Sequence, residues 1–487
     1  MLKENNNQII TFGCRLNAFE SQAIKQAVLD SNQKNLIIFN SCAVTNQAEK
    51  DLQASVRKAR KNNPDAKIIV TGCAAQINPN HYASMPEVDL VLGNQEKTNA
   101  KNYQFENQNS DQKIIKNNSA KSPLNNHQSS NHELESSNIS INQNHHQDQL
   151  FLQSKNNLNL NLSIEQHNKI KVNDIMSVKD TAPQLVSYFD DQTRAFLEIQ
   201  NGCNHRCTFC IIPYGRGNSR SVGFGEIVKQ TRGMVENGHQ EIVLTGVDIS
   251  DYGKDLPIPI SLSQMIKKLL KQVPELKRLR LSSVDVAELD HEFFELLASE
   301  DRLTPYLHLS VQSGDDLILK RMKRRHTRKQ VIDFCNQARK IRSNITFGAD
   351  IISGFPTETQ EMFENSMSLI EEADLIFTHI FPYSVRLGTP ASKMPQLDSK
   401  IIKDRASKLR DQGFIQQQKY FKQQLNKEFL VLLEKNNQGK TENFLPVKIN
   451  DLSFTSSSSL STTNNKNNFK LVKIVDYNQK ELIANFI

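Results

Sequence analysis

The chain has 487 residues, of which 37% are hydrophobic, enough for roughly three domains with their own cores. A net charge of +7 permits a polyanionic partner without requiring one, and seven cysteines spread over a long chain exclude a disulfide framework and favour a reducing compartment. With no targeting pattern at the start and no long apolar run, we expect a cytoplasmic protein that does not enter a membrane.

The first hundred residues repeat a strand followed by a helix-like stretch, with apolar runs at 9–12, 36–39 and 67–70. Such runs are typical of buried parallel strands, and Thr45 is a plausible N-cap for a helix at 48–61. A cysteine follows each strand: Cys14, Cys42 and Cys73. The carboxyl ends of parallel strands share one rim, so the three thiols are predicted to hold an iron–sulfur cluster with one open iron. Any one of them, taken alone, would be a buried small side chain.

Composition changes between 102 and 172, where Asn, Gln, Ser and His predominate. Such a segment has too little apolar surface to offset the entropy lost on ordering, so it is predicted to be a disordered insertion.

A second cysteine set has the spacing C-x3-C-x2-C, at Cys203, Cys207 and Cys210. Three thiolates satisfy three irons of a four-iron cluster and leave the fourth iron open for a small molecule. The alternatives are a zinc site completed by His205, which would be cramped on so short a loop, and thiols with no joint role. The spacing favours the cluster.

From residue 193 the strand-and-helix alternation returns and predicts six parallel βα units, which form an incomplete (βα) barrel. The predicted strands are 195–200, 241–245, 278–282, 306–311, 346–352 and 377–383. The predicted helices are 225–236, 263–271, 288–299, 327–342 and 357–372. The second cysteine set follows the first of these strands, where barrel enzymes carry active-site residues.

Three strings make a family resemblance specific: FGCRLN at 12–17, GCNHRCTFCIIP at 202–213 and GADIISGFPTET at 348–359. Together with the six βα units, they resemble the radical S-adenosylmethionine methylthiotransferases. LTGVDI at 244–249 and PYGRG at 213–217 are most similar to the branch that acts on threonylcarbamoyladenosine beside the tRNA anticodon. The insertion at 102–172 is not part of the family's usual pattern.

The resemblance implies two [4Fe–4S] clusters with different tasks. The cluster on Cys203, Cys207 and Cys210 would bind S-adenosylmethionine and release a 5′-deoxyadenosyl radical, which takes hydrogen from an adenine carbon. The cluster on Cys14, Cys42 and Cys73 would deliver the methylthio group. By motif position, the cofactor contacts are expected to be Phe209, Gly246, Ser283 and Gln312. An electron donor is also required, and the sequence does not identify it.

A polar helix at 399–424 precedes short β-like runs at 429–433, 445–449, 469–474 and 482–487, which predict a small β-barrel. GKTENF at 439–444 resembles the RNA-binding module that closes these enzymes, so the expected partner is the tRNA anticodon stem-loop. The basic run at 320–329 is either a phosphate contact or a solvated helix end, and Cys335 is predicted to be plain core.

The predicted class is therefore α/β, with an open parallel N-terminal domain, a partial radical-SAM barrel and a small β-barrel. The predicted segments are 1–101, 102–172, 173–424 and 425–487. Other substrates stay open: isopentenyladenosine in tRNA or a ribosomal protein aspartate. So does a different class, an iron–sulfur RNA-binding protein without catalysis.

Overall fold

A computed structural model describes residues 6–105, 169–179, 193–450 and 468–487. They form an N-terminal sheet domain, a partial barrel and a small closed barrel, which confirms the predicted fold class. Within these ranges no helix combines the length and the apolar character needed to cross a lipid bilayer.

The N-terminal domain is one parallel sheet with its five strands in chain order. The strands are β1 (Gln8–Thr11), β2 (Leu36–Ser41), β3 (Lys67–Gly72), β4 (Leu90–Leu92) and β5 (Ile170–Lys171). Between them lie α1 (Arg15–Asp30), α2 (Asn46–Asn62), α3 (Cys73–Ile77) and α4 (Pro79–Ala83). The three predicted strands are confirmed, and Thr45 caps α2 by accepting a hydrogen bond from the Ala48 amide at 3.2 Å.

The predicted limits of the insertion are wrong at both ends. Tyr103 is buried in the N-terminal core and donates its hydroxyl hydrogen to the Lys97 carbonyl. On the far side, β5 pairs with β4, with Ile170 opposite Val91. The sequence did not reveal β5 because its two residues gain their stability from a partner strand about eighty positions earlier. The rest of the predicted insertion, 106–168, lies outside the described residues.

All six predicted strands of the barrel are present, and hydrogen bonds or bridges link them side by side in chain order. They are β6 (Arg194–Asn201), β8 (Glu241–Gly246), β9 (Arg278–Leu281), β10 (Tyr306–Gln312), β11 (Thr346–Ser353) and β12 (Leu375–Pro382). A two-residue strand, β7 (Arg220–Ser221), adds an antiparallel edge that the sequence did not predict. The helices are α5 (Ile212–Arg216), α6 (Phe224–Glu236), α7 (Leu262–Gln272), α8 (His291–Ser299), α9 (Asp316–Arg321), α10 (Arg328–Ile341) and α11 (Gln360–Glu372).

After α12 (Ser399–Lys422), the chain ends in a closed five-stranded barrel. Its strands are β13 (Glu428–Leu433), β14 (Gln438–Lys440), β15 (Pro446–Ile449), β16 (Phe469–Tyr477) and β17 (Leu482–Phe486). Only β14 was not predicted. Phe444, in the GKTENF string, stacks on Tyr306 of the larger barrel with ring centroids 4.5 Å apart. This part of the expected RNA-binding string therefore forms a domain contact.

Helix α1 belongs to the N-terminal domain, but one face of it packs into the larger barrel. Leu16, Phe19 and Ala23 are members of the barrel's hydrophobic core, where α1 lies against β6 and β8. The first turns of α1 are thereby held against β6 and β8 of the barrel.

A buried polar network fixes this interface. Arg216, which is 2% exposed, donates from Nη2 to Oε2 of Glu20 at 2.9 Å and also pairs with Oε1. The Lys97 ammonium lies 2.6 Å from the same Glu20 carboxylate. The two cations lower the pKa of Glu20, although burial alone would raise it. The ion pair of Arg216 thus joins α1 to α5, the short helix that follows the second cysteine set.

Removing residues 106–168 and bridging the ends with a flexible Gly/Ser linker should leave the melting temperature unchanged, because these residues offer little apolar surface. Removing 102–172 should lower it, because Tyr103 and β5 are then lost. Thermal unfolding of the two deletions measures the difference. Equal losses in both would mean that 106–168 carries a structural role.

Replacing Arg216 with Met should destabilise the protein by about 3–5 kcal/mol, because breaking a buried ion pair leaves uncompensated polar groups. The matched control is Arg232→Met, at an exposed arginine of α6, which should melt close to the parent. Equal melting temperatures for the two variants would show that the network does not support the interface.

Candidate cluster sites at the domain interface

The first cysteine set converges at one rim of the N-terminal sheet. Cys14 caps α1, Cys42 follows β2 directly, and Cys73 begins α3 directly after β3. Gly13 has φ +102°, and a Cβ there would lie 3.0 Å from the Cys42 sulfur, so only glycine allows this approach. Cys42 and Cys73 are buried and Cys14 is exposed, which removes the alternative that Cys14 is packed core.

Hydrogen-bond donors face the sulfurs of this set. Arg216 Nε donates to Cys73 Sγ at 3.1 Å, and the Val44 amide donates to Cys42 Sγ at 3.5 Å. Burial, followed by the neighbouring Cys73 sulfur, raises the pKa of Cys42 to about 12. A thiol with so high a pKa needs strong electrophilic partners such as iron ions to become a ligand.

The second cysteine set occupies the loop between β6 and α5. Gly202 opens the loop with φ +70°, and a Cβ there would lie 1.8 Å from the Asn218 carbonyl oxygen. The His205 amide donates to Cys203 Sγ at 3.4 Å, and Arg324 Nη1 donates to Cys207 Sγ at 3.5 Å. The loop thus presents three thiols, with donors directed at two of them.

Neither set is arranged for a single metal ion. Across the described residues, neither set has three ligand atoms within 4.8 Å of one another. Tetrahedral zinc, with Zn–S bonds of about 2.3 Å, holds its sulfurs roughly 4 Å apart. His205 is also engaged, since its Nε2 lies 2.9 Å from Asp248 Oδ2. Wider cysteine triads fit a larger group, such as a four-iron cluster, better than zinc.

The four expected cofactor contacts lie around the second cysteine set or at carboxyl ends of barrel strands. Phe209 is in the cysteine loop and packs edge-on against Phe355, with centroids 6.5 Å apart. Gly246 ends β8, where a Cβ would lie 2.5 Å from the Gln200 carbonyl oxygen. Ser283 follows β9, and Gln312 ends β10 with φ +71°. All four are half-buried, and their role as cofactor contacts stays a prediction.

Inside the barrel, a hydrogen-bonded cluster joins three adjacent strands. Asp350 Oδ1 lies 2.9 Å from His308 Nε2 and 3.3 Å from His379 Nδ1, and His308 Nδ1 lies 2.9 Å from the Tyr306 hydroxyl. Burial raises the pKa of Asp350, but the bonds from both histidines outweigh it and hold that pKa well below its usual range. Strand register, which the sequence does not reveal, determines which residues meet Asp350.

Most arginines of the basic run at 320–329 form hydrogen bonds or ion pairs with other residues of the chain. Arg321 donates to Thr357 Oγ1 at 2.9 Å, Arg324 to Asp285 at 2.8 Å, and Arg328 pairs with Glu372 at 2.7 Å. The exposed cations of the run include Lys320 and Lys323. Cys335 is fully buried, as predicted.

Two protein-family models match the two domains that carry the cysteine sets. Residues 197–370 match the Radical SAM superfamily, and residues 6–93 match a family described as uncharacterized protein family UPF0004. Among solved structures, the radical S-adenosylmethionine methyltransferase TsrM from Kitasatospora setae is 11% identical, with a TM-score of 0.47 over 80% of this chain and 77% of that one.

Two curated relatives cover nearly the whole chain. The threonylcarbamoyladenosine tRNA methylthiotransferase MtaB of Rickettsia prowazekii is 49% identical over 92% of this chain and 93% of its own. The tRNA-2-methylthio-N(6)-dimethylallyladenosine synthase of Ehrlichia chaffeensis is 28% identical over 97% of this chain and 98% of its own. Since the first relative shares about half of its residues along almost its full length, this chain belongs to the radical S-adenosylmethionine methylthiotransferases.

Proposed function

We propose that the protein is an enzyme that transfers a methylthio group to threonylcarbamoyladenosine beside the anticodon of tRNA. The observation that carries the proposal is the 49% identity with a threonylcarbamoyladenosine tRNA methylthiotransferase, extending over 92% of this chain. The arrangement of two cysteine sets, one on each side of a single domain interface, supports it.

Cys203, Cys207 and Cys210 would hold the cluster that binds S-adenosylmethionine. When bound, a four-iron group with one open iron supplies the electron that cleaves S-adenosylmethionine to a 5′-deoxyadenosyl radical. The chain's own part is to fix the three sulfurs and to keep water out. Buried Thr208 assists, because its hydroxyl donates to the Arg321 carbonyl at 2.8 Å and its own carbonyl accepts from the Ala391 amide at 2.8 Å. The cysteine loop is thereby tied to two other parts of the barrel domain.

Cys14, Cys42 and Cys73 would hold a second cluster, used for sulfur delivery. Arg216 and Lys97 both pair with the buried carboxylate of Glu20. Arg216 also donates to Cys73 Sγ, so this buried network reaches the cysteine set directly. Exposed Cys14 gives this set an accessible side, and α1, which begins directly after Cys14, packs into the barrel core.

The substrate is tested directly with two anticodon stem-loops, one with threonylcarbamoyladenosine and one with dimethylallyladenosine, offered together to the reconstituted protein. We expect methylthio product from the threonylcarbamoyl substrate, detected by mass spectrometry of the nucleosides. A preference for the dimethylallyl substrate would overturn the proposed substrate.

Replacing Cys203, Cys207 and Cys210 together with Ala should leave about four irons and four sulfides per reconstituted chain, against about eight of each in the parent. One cluster should remain because the two cysteine sets lie in different domains and each supplies its own three ligands. The Cys335→Ala variant, which removes the buried seventh cysteine, should keep the parent's iron content. Loss of all iron in the triple variant, or retention of all of it, would contradict two independent clusters.

Replacing Cys14 with Ala should uncouple cofactor cleavage from product formation. The variant should still form 5′-deoxyadenosine, because the barrel cysteines are intact, but yield little methylthio nucleoside. Both products are quantified by mass spectrometry, with Cys335→Ala as the control. Because Cys14 is exposed, a loss of core packing cannot explain the result. Normal methylthio yield from the Cys14 variant would refute sulfur delivery from this site.

A further inference from the structure

Arg15 is the first residue of α1 and the chain neighbour of Cys14. Its guanidinium lies 5.9 Å from the centroid of the Phe444 ring, at the contact between the two barrels. Arg194 of β6 and Arg280 of β9 lie over the same ring, 5.8 Å and 4.9 Å from its centroid. The side chain of Arg15 therefore lies beside cations of the barrel strands, where the larger barrel meets the small one.

Arg15 has no counter-ion within the part of the chain that the structure describes. Among the residues that the structure describes, none forms a hydrogen bond or an ion pair with its guanidinium. Two neighbouring cations are paired: Arg280 Nε lies 2.8 Å from Glu241 Oε1, and Arg194 Nη2 lies 2.6 Å from Glu434 Oε1. Lys440 Nζ lies 4.9 Å from the centroid of the same Phe444 ring and has no ion pair among the described residues. Asp350, the carboxylate that attracts Arg15, is already bound by two histidines.

A guanidinium in this position favours an incoming anion. Arg15 is half-buried, and the like charges of Arg194 and Arg280 lie over the same Phe444 ring. Arginine does not lose its proton in proteins, so binding an anion is the available way to relieve this desolvation and repulsion. The planar guanidinium also matches a carboxylate with two parallel hydrogen bonds.

We propose that Arg15 binds the threonyl carboxylate of the substrate and thereby selects threonylcarbamoyladenosine. This inference rests on the proposed function. The threonylcarbamoyl group carries a carboxylate, whereas the dimethylallyl group in the name of the Ehrlichia relative is a hydrocarbon and would leave Arg15 unpaired. A site that holds a charged partner rejects an analogue without it because the buried charge is left uncompensated.

The position of Arg15 also agrees with the reaction. In adenine, N6 is attached to C6, and only N1 separates C6 from C2, the carbon named in 2-methylthio products. A substituent on N6 and the C2 edge therefore lie on the same side of the base. Anchoring the carboxylate at Arg15 would hold C2 near the adjacent residue, Cys14, on the set proposed to deliver sulfur.

The test is a cycle of two enzymes and two substrates. Parent and Arg15→Gln are each given a stem-loop with threonylcarbamoyladenosine and one with its threonyl carboxylate blocked as the methyl amide. For the parent, blocking should raise KM about 10- to 100-fold, the cost of losing a hydrogen-bonded charge partner. For Arg15→Gln, KM for the free acid should rise by a similar factor, and blocking should then make little further difference.

Three further measurements keep the result interpretable. The iron content of Arg15→Gln and its formation of 5′-deoxyadenosine without substrate should match those of the parent, which would show that the fold is intact. Arg15→Lys, which keeps the positive charge, should retain a weaker preference for the free acid over the amide. Arg57→Gln is the matched control, since this exposed arginine lies in α2 about 16 Å along the helix from its start. Its KM should equal the parent's.

The outcomes separate the inference from the function on which it rests. If the parent makes no methylthio product from the free acid, the proposed function fails. If the parent makes product but Arg15→Gln discriminates acid from amide as well as the parent, Arg15 does not bind the carboxylate. If Arg15→Gln weakens acid and amide equally, the anion is a tRNA phosphate, which also overturns the inference.

Discussion

The site depends on one buried guanidinium. Arg216 lies in the barrel domain, six residues after Cys210, yet its hydrogen bonds go to Glu20, Asn17 and Cys73 of the N-terminal domain. A single side chain thus connects the segment that carries one cysteine set to a cysteine of the other set. A buried charge without partners is strongly unfavourable, so Arg216 has to keep these hydrogen bonds. The connection therefore holds the two cysteine sets in a fixed relative position.

The sequence predicted those elements whose stability is local. Runs such as Leu36–Ser41 and Lys67–Gly72 are apolar and flanked by turn residues, so the alternation of strand and helix was visible along most of the chain. The strands that were missed, β4, β5, β7 and β14, have two or three residues each. Segments this short carry almost no periodicity, and they exist because a distant strand offers hydrogen bonds.

The same distinction applies to the site. The spacing of Cys203, Cys207 and Cys210 is a local signal, and the strand-end positions of Cys14, Cys42 and Cys73 follow from the fold rule for parallel sheets. Arg15 carries no local signal, because its surroundings come from strands almost two hundred to more than three hundred residues later. Likewise, Asp350 meets His379 only because register places them opposite each other on β11 and β12.

The packing of α1 has a consequence for biosynthesis. Leu16 and Phe19 find their core partners on β6, about 180 residues further along the chain. At 5–20 residues per second, translation leaves that apolar stripe without cover for roughly 10–40 s. The N-terminal domain is synthesised first, but the apolar face of α1 is buried only after the barrel strands have been made. Until then, this exposed face is a natural binding site for a chaperone on the nascent chain.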